Sequence, residues 1–338
     1  MYNQQIKNAV IQAVRSYNEP FSDTDIMLLE GLNRIFNDAE FESKHPRDEK
    51  GRFATSGSHK PSQAYLDILD KIKQSNTKQI TPEDVIESAI KAYGLDKQEV
   101  YRQIKNADEH NKNIMDKGLE TNKIYKVDGV YTEEREQLHQ NILDEIFKNK
   151  EKAMPKNGEK PTVIFLGGRG GSGKSKFNGL VYNESNYIVL DADKIKEALK
   201  PDYKGFNAYE VHEESSDILK DALRKAKEEK LNVVLDATMK TLKSTEEKIQ
   251  AFENAGYNIE MYYMHLPREK AAERAINRFA ENDKKFGGRY VPLNEILEKM
   301  KHNEENFNEL KHYASKWAFY NNDVPTKEDA PILIDKNY

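Results

Sequence analysis

The stretch Gly167-Gly168-Arg169-Gly170-Gly171-Ser172-Gly173-Lys174-Ser175 contains the spacing GxxxxGKS from Gly168 to Ser175, directly after the apolar run Val163-Ile164-Phe165-Leu166. Glycines at this density let successive backbone N–H groups turn inward on a β-phosphate, and a helix expected to open at Lys174 adds the positive end of its dipole. In such a loop the lysine, here Lys174, reaches the β- and γ-phosphates, and the hydroxyl that follows, Ser175, is placed to ligate Mg²⁺. The expected ligand is a nucleoside triphosphate, held by the loop from Gly168 through Arg169, Gly170, Gly171, Ser172 and Gly173 to Ser175. The loop leaves the acceptor open, because switches, motors and kinases share it.

Two further apolar runs end in acids: Ile188-Val189-Leu190-Asp191-Ala192-Asp193 and Val233-Val234-Leu235-Asp236-Ala237-Thr238. In a parallel sheet the carboxyl ends of the strands face the ligand, so these acids should emerge beside the phosphate loop. A carboxylate near the γ-phosphate can orient and deprotonate an acceptor hydroxyl; Asp193, further past its strand, is the preferred base. Asp191 and Asp193 also suit the cap of a helix starting at Lys194. Asp236 fits a ligand of Mg²⁺-bound water or an acceptor-binding carboxylate, and spacing does not separate the two. Arg274 and Arg278 lie four apart, on one face of a helix, and Arg289 follows the Gly287-Gly288 pair. Guanidinium groups on a segment that closes fit the charge that spreads over a transferring phosphoryl group.

The elements that must position these groups read as strands at 162–166, 187–190, 232–235, 259–265 and 331–334, separated by helical patterns at 209–229, 242–254 and 268–281. Strands alternating with helices imply an α/β fold, a parallel doubly wound sheet flanked by helices. A helical stretch at 132–150 and a polar run at 148–161 lead into it. Upstream, apolar spacings of three and four within 1–40 predict two short helices broken at Pro20, and 41–61 is a linker by composition. Thr81-Pro82-Glu83-Asp84 is a helix start, with Thr81 as cap, and Gly94 ends that helix. The expected organisation is short helices and linker over 1–60, a helical region over 61–128, and the α/β domain over 129–338.

Composition bounds the rest. The 338 residues suit about two domains. Charged residues make up 33% and the apolar set 37%, enough for a core with some solvated helices. No apolar run nears membrane-spanning length, and the first residues predict no secretory leader, so a cytoplasmic protein is expected. With no cysteine, a disulfide framework, a Cys-ligated metal and a thiol nucleophile are excluded. A net charge of −5 argues against nucleic acid as partner.

From about Thr132 to Tyr338 the chain resembles the zeta toxin family of P-loop kinases, through VIFLGGRGGSGKS, IVLDADKIKEALKPDY, YEVHEESSDIL, NVVLDATMKT, MYYMHLP, INRF and GRYVP in that order. The resemblance implies a P-loop kinase core and ATP-dependent phosphorylation of the 3′-hydroxyl of UDP-N-acetylglucosamine, with an antitoxin as partner. It places Lys174 and Ser175 at ATP and Mg²⁺, Asp193 as base, and Arg278 and Arg289 as phosphate-stabilising arginines. Acceptor binding would fall to Asp191, Asp236, Thr238, Glu214 and Lys240, and Asp236 joins Ser175 as a candidate metal ligand. The chain departs from the family where several members carry Glu-Gly-Thr: here Asp236-Ala237-Thr238 follows the strand, and Lys240 replaces a frequent Arg. The shorter carboxylate bears on the acceptor and leaves open another hydroxyl, such as a nucleotide, a nucleic-acid end or a different metabolite. The segment 45–53, HPRDEKGRF, resembles short tags of phage head-associated and mobile-element proteins. It implies a phage structural protein as partner of the N-terminal helices, a virion association, or an interaction protein in which ATP is regulatory.

Overall fold

The computed structural model describes residues 60–156, 158–200, 205–280, 289–326 and 329–338. The expected helices within 1–40, the segment 45–53, most of the linker and the Gly287-Gly288 pair lie outside the described residues.

Three helices come first: α1 (Gln63–Asn76), α2 (Pro82–Tyr93) and α3 (Lys97–Lys117). The start of α2 is the capping box read from the sequence: the Thr81 hydroxyl accepts from the Asp84 N–H, and the Asp84 carboxylate accepts from the Thr81 N–H. Gly94 closes it with φ of 64°. A short helix α4 (Thr121–Tyr125), a two-residue hairpin of β1 (Lys126–Val127) and β2 (Val130–Tyr131), and α5 (Glu133–Phe147) follow.

The α/β part then runs β3 (Thr162–Gly167), β4 (Ile188–Leu190), α6 (Ala192–Leu199), α7 (His212–Glu228), β5 (Val233–Asp236), α8 (Leu242–Asn254), β6 (Asn258–His265), α9 (Arg268–Ala280), α10 (Asn303–Leu310), β7 (Lys316–Asn321) and β8 (Ile332–Lys336). The sheet order is β4-β5-β3-β6-β7-β8. The first five strands are parallel and β8 is antiparallel to β7. This is the doubly wound sheet the alternation of strands and helices demands, with β3 at its centre and the chain crossing outward to both sides. Two features differ from expectation. β7 was not foreseen, and it stands between β6 and the edge strand. The helix expected at Lys174 is a single 3₁₀ turn, Lys174–Phe177.

Both faces of the sheet are covered, as a parallel sheet requires. On one, Ile164, Leu166, Tyr262 and Tyr320 pack against Phe177 and the segment that carries Tyr182 and Tyr187. On the other, Phe165 meets Phe252 of α8, Tyr263 meets Phe307 of α10, and Phe319 meets Tyr65 of α1 at 4.9 Å. Each fully buried aliphatic or aromatic side chain here contributes roughly 1.5–3 kcal/mol. Lys60–Tyr338 is one compact unit. Helix α2 shares a core with α9, where Val85, Ile86 and Ala89 pack among Ala271, Ala275 and Ile276.

Candidate active site

β3 delivers the glycine-rich loop at its carboxyl end. Gly171 and Gly173 hold φ of 86° and 88°. A β-carbon on Gly171 would strike the Ala271 carbonyl at the start of α9, and one on Gly173 would strike the amide nitrogen of Asn322. Only glycine suits those two places. The ammonium of Lys174 folds back over the loop, donating to the carbonyls of Gly168 at 2.9 Å and Arg169 at 3.4 Å. It also stands 3.6 Å from Asp236 Oδ1. Ser175 is exposed. After the loop the backbone makes only the 3₁₀ turn, so no long helix dipole points at the loop, and its polar groups are the backbone N–H groups and Lys174.

The loop is anchored by residues that sequence reasoning missed. Asn322, just past β7 and fully buried, donates from Nδ2 to the Ser172 carbonyl at 2.7 Å. Its Oδ1 accepts from Lys176, and its carbonyl accepts from Arg274 of α9. The Arg169 side chain turns away from the loop's hollow into a buried pair with Glu304, while His265 Nδ1 donates to the same carboxylate at 2.9 Å. Burial alone would raise the Glu304 carboxyl; the Arg169 charge and the His265 hydrogen bond outweigh it and hold it down to about 2. Arg169 thus offers the candidate site its backbone alone. Nothing local in the sequence marks Glu304 or Asn322.

The neighbouring strand ends bring the acids in. Leu190 is level with Leu235 in the parallel register, so Asp191 follows β4 at the level of Asp236, the last residue of β5. Asp191 caps α6 by accepting from the Asp193 N–H at 2.9 Å, the capping role its position allowed. Desolvation raises the Asp236 carboxyl, Lys174 opposes this, and the Asp191 charge adds to it. The Asp193 carboxylate is held by Arg289 and by Lys196, whose Nζ is 3.3 Å away. Burial lowers both cations from their usual ranges, and the Asp191 charge partly restores them. Lys196 had no part in the sequence reading.

The remaining candidates divide. Thr238 sits just past β5, its carbonyl accepting from Asn303 at 2.6 Å. Lys240 is exposed and pairs with Glu295 at 3.1 Å. Arg278 lies one turn beyond Arg274 on α9. Glu214, expected at the acceptor, is fully buried on α7 and has no surface to offer a ligand. Arg135 grips both of its oxygens, at 2.6 and 2.9 Å, and His139 donates to one at 2.6 Å. Burial would raise this carboxyl, but His139 and Arg135 hold it down to about 2. Its role is to tie α7 to α5.

Among the described residues no cluster of three or more His, Asp or Glu could hold a metal unaided. A magnesium ion that rides on phosphates takes only one or two protein oxygens and keeps its waters. The residues present fit that demand: Ser175 is open, and Asp236 and Asp191 crowd two negative charges that a cation relieves.

The zeta toxin family model matches residues 143–330. Among solved structures the chain is similar to the AvrRxo1-ORF1:AvrRxo1-ORF2 complex, determined with sulphate ions and with ATP. Each match has 15% identity and a TM-score of 0.51, and covers 64% of this chain and 76% of that one. A structure from the PezAT chromosomal toxin–antitoxin system of Streptococcus pneumoniae matches with 15% identity and a TM-score of 0.48, covering 61% of this chain and 83% of that one. No curated protein matches the chain. No helix among the described residues is long and apolar enough to cross a membrane.

Proposed function

The chain belongs to the zeta toxin family, and on that premise we propose that it transfers the γ-phosphate of ATP to a hydroxyl of a small acceptor, UDP-N-acetylglucosamine first among the candidates. The observation that carries this reading is the meeting of three strand ends: Lys174 after β3, Asp236 on β5 and the Asp191–Asp193 turn after β4, with Lys174 3.6 Å from Asp236. The loop N–H groups hold the β-phosphate, and Lys174 leaves the Gly168 and Arg169 carbonyls for the β- and γ-oxygens. Asp193 takes the proton of the acceptor hydroxyl as the new phosphorus–oxygen bond forms and the bond to the ADP oxygen breaks. Arg289, paired with Asp193 before nucleotide arrives, shifts onto the phosphoryl oxygens and frees that carboxylate for its proton. Magnesium, when bound, neutralises phosphate charge, with Ser175 and Asp236 as its protein ligands.

The test is incubation of the full chain with ATP, Mg²⁺ and a panel of UDP-sugars, nucleotides and nucleic-acid ends, with products read by mass spectrometry. A phosphorylated UDP-N-acetylglucosamine that disappears in Asp193→Asn supports the whole assignment. A product on another member of the panel moves the acceptor, a reading favoured by Asp236 standing where the family often has Glu. No transfer to any acceptor, with ATP bound, would sink the kinase reading. Toxicity and restraint by an antitoxin follow from family membership; growth arrest on induced expression, absent for Asp193→Asn, checks them in cells.

A further inference from the structure

The residues that follow Arg289 pack both on α9 and on helices that lie outside the family-matched body. Tyr290 is buried, packing on Phe279 of α9 with ring centroids 4.9 Å apart and against Ala107 of α3. The Tyr290 hydroxyl donates to Asp108 Oδ1, also on α3. The following residues Val291, Leu293, Ile296 and Leu297 share a core with Val85, Ile86, Ala89 and Val100 of α2 and α3. Those helices precede residue 143, where the family match begins.

Helix α3 buries Val100, Ala107 and Ile114, with Tyr101 and Ile104 half-buried against the same cores. Apolar contact of this kind is non-directional, and a directed hydrogen bond at its edge fixes where Tyr290 sits against the helix. Asp108 to Tyr290 is that bond, one residue from the guanidinium that meets Asp193.

We propose that Asp108 is a positioning residue: through Tyr290 it holds Arg289 at the phosphoryl-transfer site, which makes helix α3 a built-in brace of the kinase. The proposal rests on the kinase reading above. It gives the helical region before the α/β domain a role in catalysis. A guanidinium acts only when it is held at hydrogen-bond distance, roughly 3 Å, from the developing charge with little freedom to wander, and a segment packed on one side only by α9 lacks that constraint.

The experiment measures the affinity of the full chain in Mg²⁺ for ADP alone and for ADP with aluminium fluoride, which mimics the transferring phosphoryl group and needs no acceptor. Wild type should gain strongly from aluminium fluoride, and Arg289→Ala should lose most of that gain. Asp108→Ala and Tyr290→Phe should each lose about tenfold of it, about 1.4 kcal/mol, with ADP affinity and melting temperature near wild type. Asp108→Asn, which still accepts the hydrogen bond, should retain it. Tyr290→Phe keeps the buried ring and so remains readable if Asp108→Ala folds poorly. A wild-type gain in both Asp108→Ala and Tyr290→Phe overturns the brace, as does a parallel loss of ADP affinity. Arg289→Ala keeping the gain overturns the role of Arg289, and no gain in wild type overturns the kinase reading beneath both.

Discussion

Arg169 in the phosphate loop and Glu304 on α10, 135 residues apart in the chain, face each other as a bidentate pair, with both side chains buried. The pair ties the glycine-rich loop to the helix that packs on β6 through Phe307. Burying two charges is costly, and here the fork-to-fork geometry and the added His265 hydrogen bond offset the cost. Removing one partner does not undo the burial of the other. Glu304→Gln should therefore cost roughly 3–5 kcal/mol in urea unfolding, and the double change Arg169→Met with Glu304→Leu should cost clearly less. A single-variant loss below about 1 kcal/mol would show that the pair does not hold the loop.

Acid should unfold this protein through two carboxylates remote from each other in sequence. Glu304 and Glu214 both titrate near 2 in the folded chain against an ordinary value of 4.5. A folded value below the unfolded one means the stabilisation is complete above about pH 4.5 and is lost as pH falls toward about 2. Each shift is worth on the order of 3 kcal/mol. Melting temperature followed from pH 7 to pH 2.5 should hold nearly level and then fall steeply below about pH 4.5. Glu214→Gln should start lower at pH 7 and fall less; an unchanged slope would mean its pairing with Arg135 and His139 does not set the acid limit.

Gly173→Ala should separate nucleotide binding from folding. Its φ of 88° is strained for any side chain, and the new methyl would push on the Asn322 amide that holds the Ser172 carbonyl. The strain is of order 1–3 kcal/mol, which a domain of this size survives. The expected result is a melting temperature a few degrees lower and an ADP affinity reduced at least tenfold by titration calorimetry. Wild-type affinity would mean the loop binds without the Asn322 tie.

Local signals carried most of the site, and long-range pairs carried the rest. The loop, the capping box at Thr81 and the acids at 191, 193 and 236 are marked by residues within a few positions of each other. Strand β7 escaped notice because Trp317-Ala318-Phe319-Tyr320 is aromatic rather than a Val/Ile run and follows helical text with no glycine or proline between. The expected helix after Lys174 fails at Asn178-Gly179, and its place over the sheet is filled by Phe177, Tyr182 and Tyr187. Glu214, expected at the acceptor through the family resemblance of its segment, is instead held buried by Arg135 and His139, 79 and 75 residues away. Asn322 and Glu304 were invisible for the same reason.

Asp191→Asn probes the coupling between the strand ends. Asparagine caps a helix as well as aspartate does, so α6 should keep its start and the fold its stability. What changes is charge. Burial and the Asp191 carboxylate both raise Asp236, while Lys174 pulls it down. Deleting the Asp191 charge removes one upward push, so Asp236 should release its proton at lower pH. If ionised Asp236 is needed beside Lys174 and the phosphate-bound cation, the acid limb of Mg²⁺-dependent phosphoryl transfer should move to lower pH in Asp191→Asn. A pH–rate profile of both proteins at saturating ATP reads this directly. An acid limb that stays put, or moves to higher pH, would mean that another carboxylate governs it, with Asp193 the first to examine.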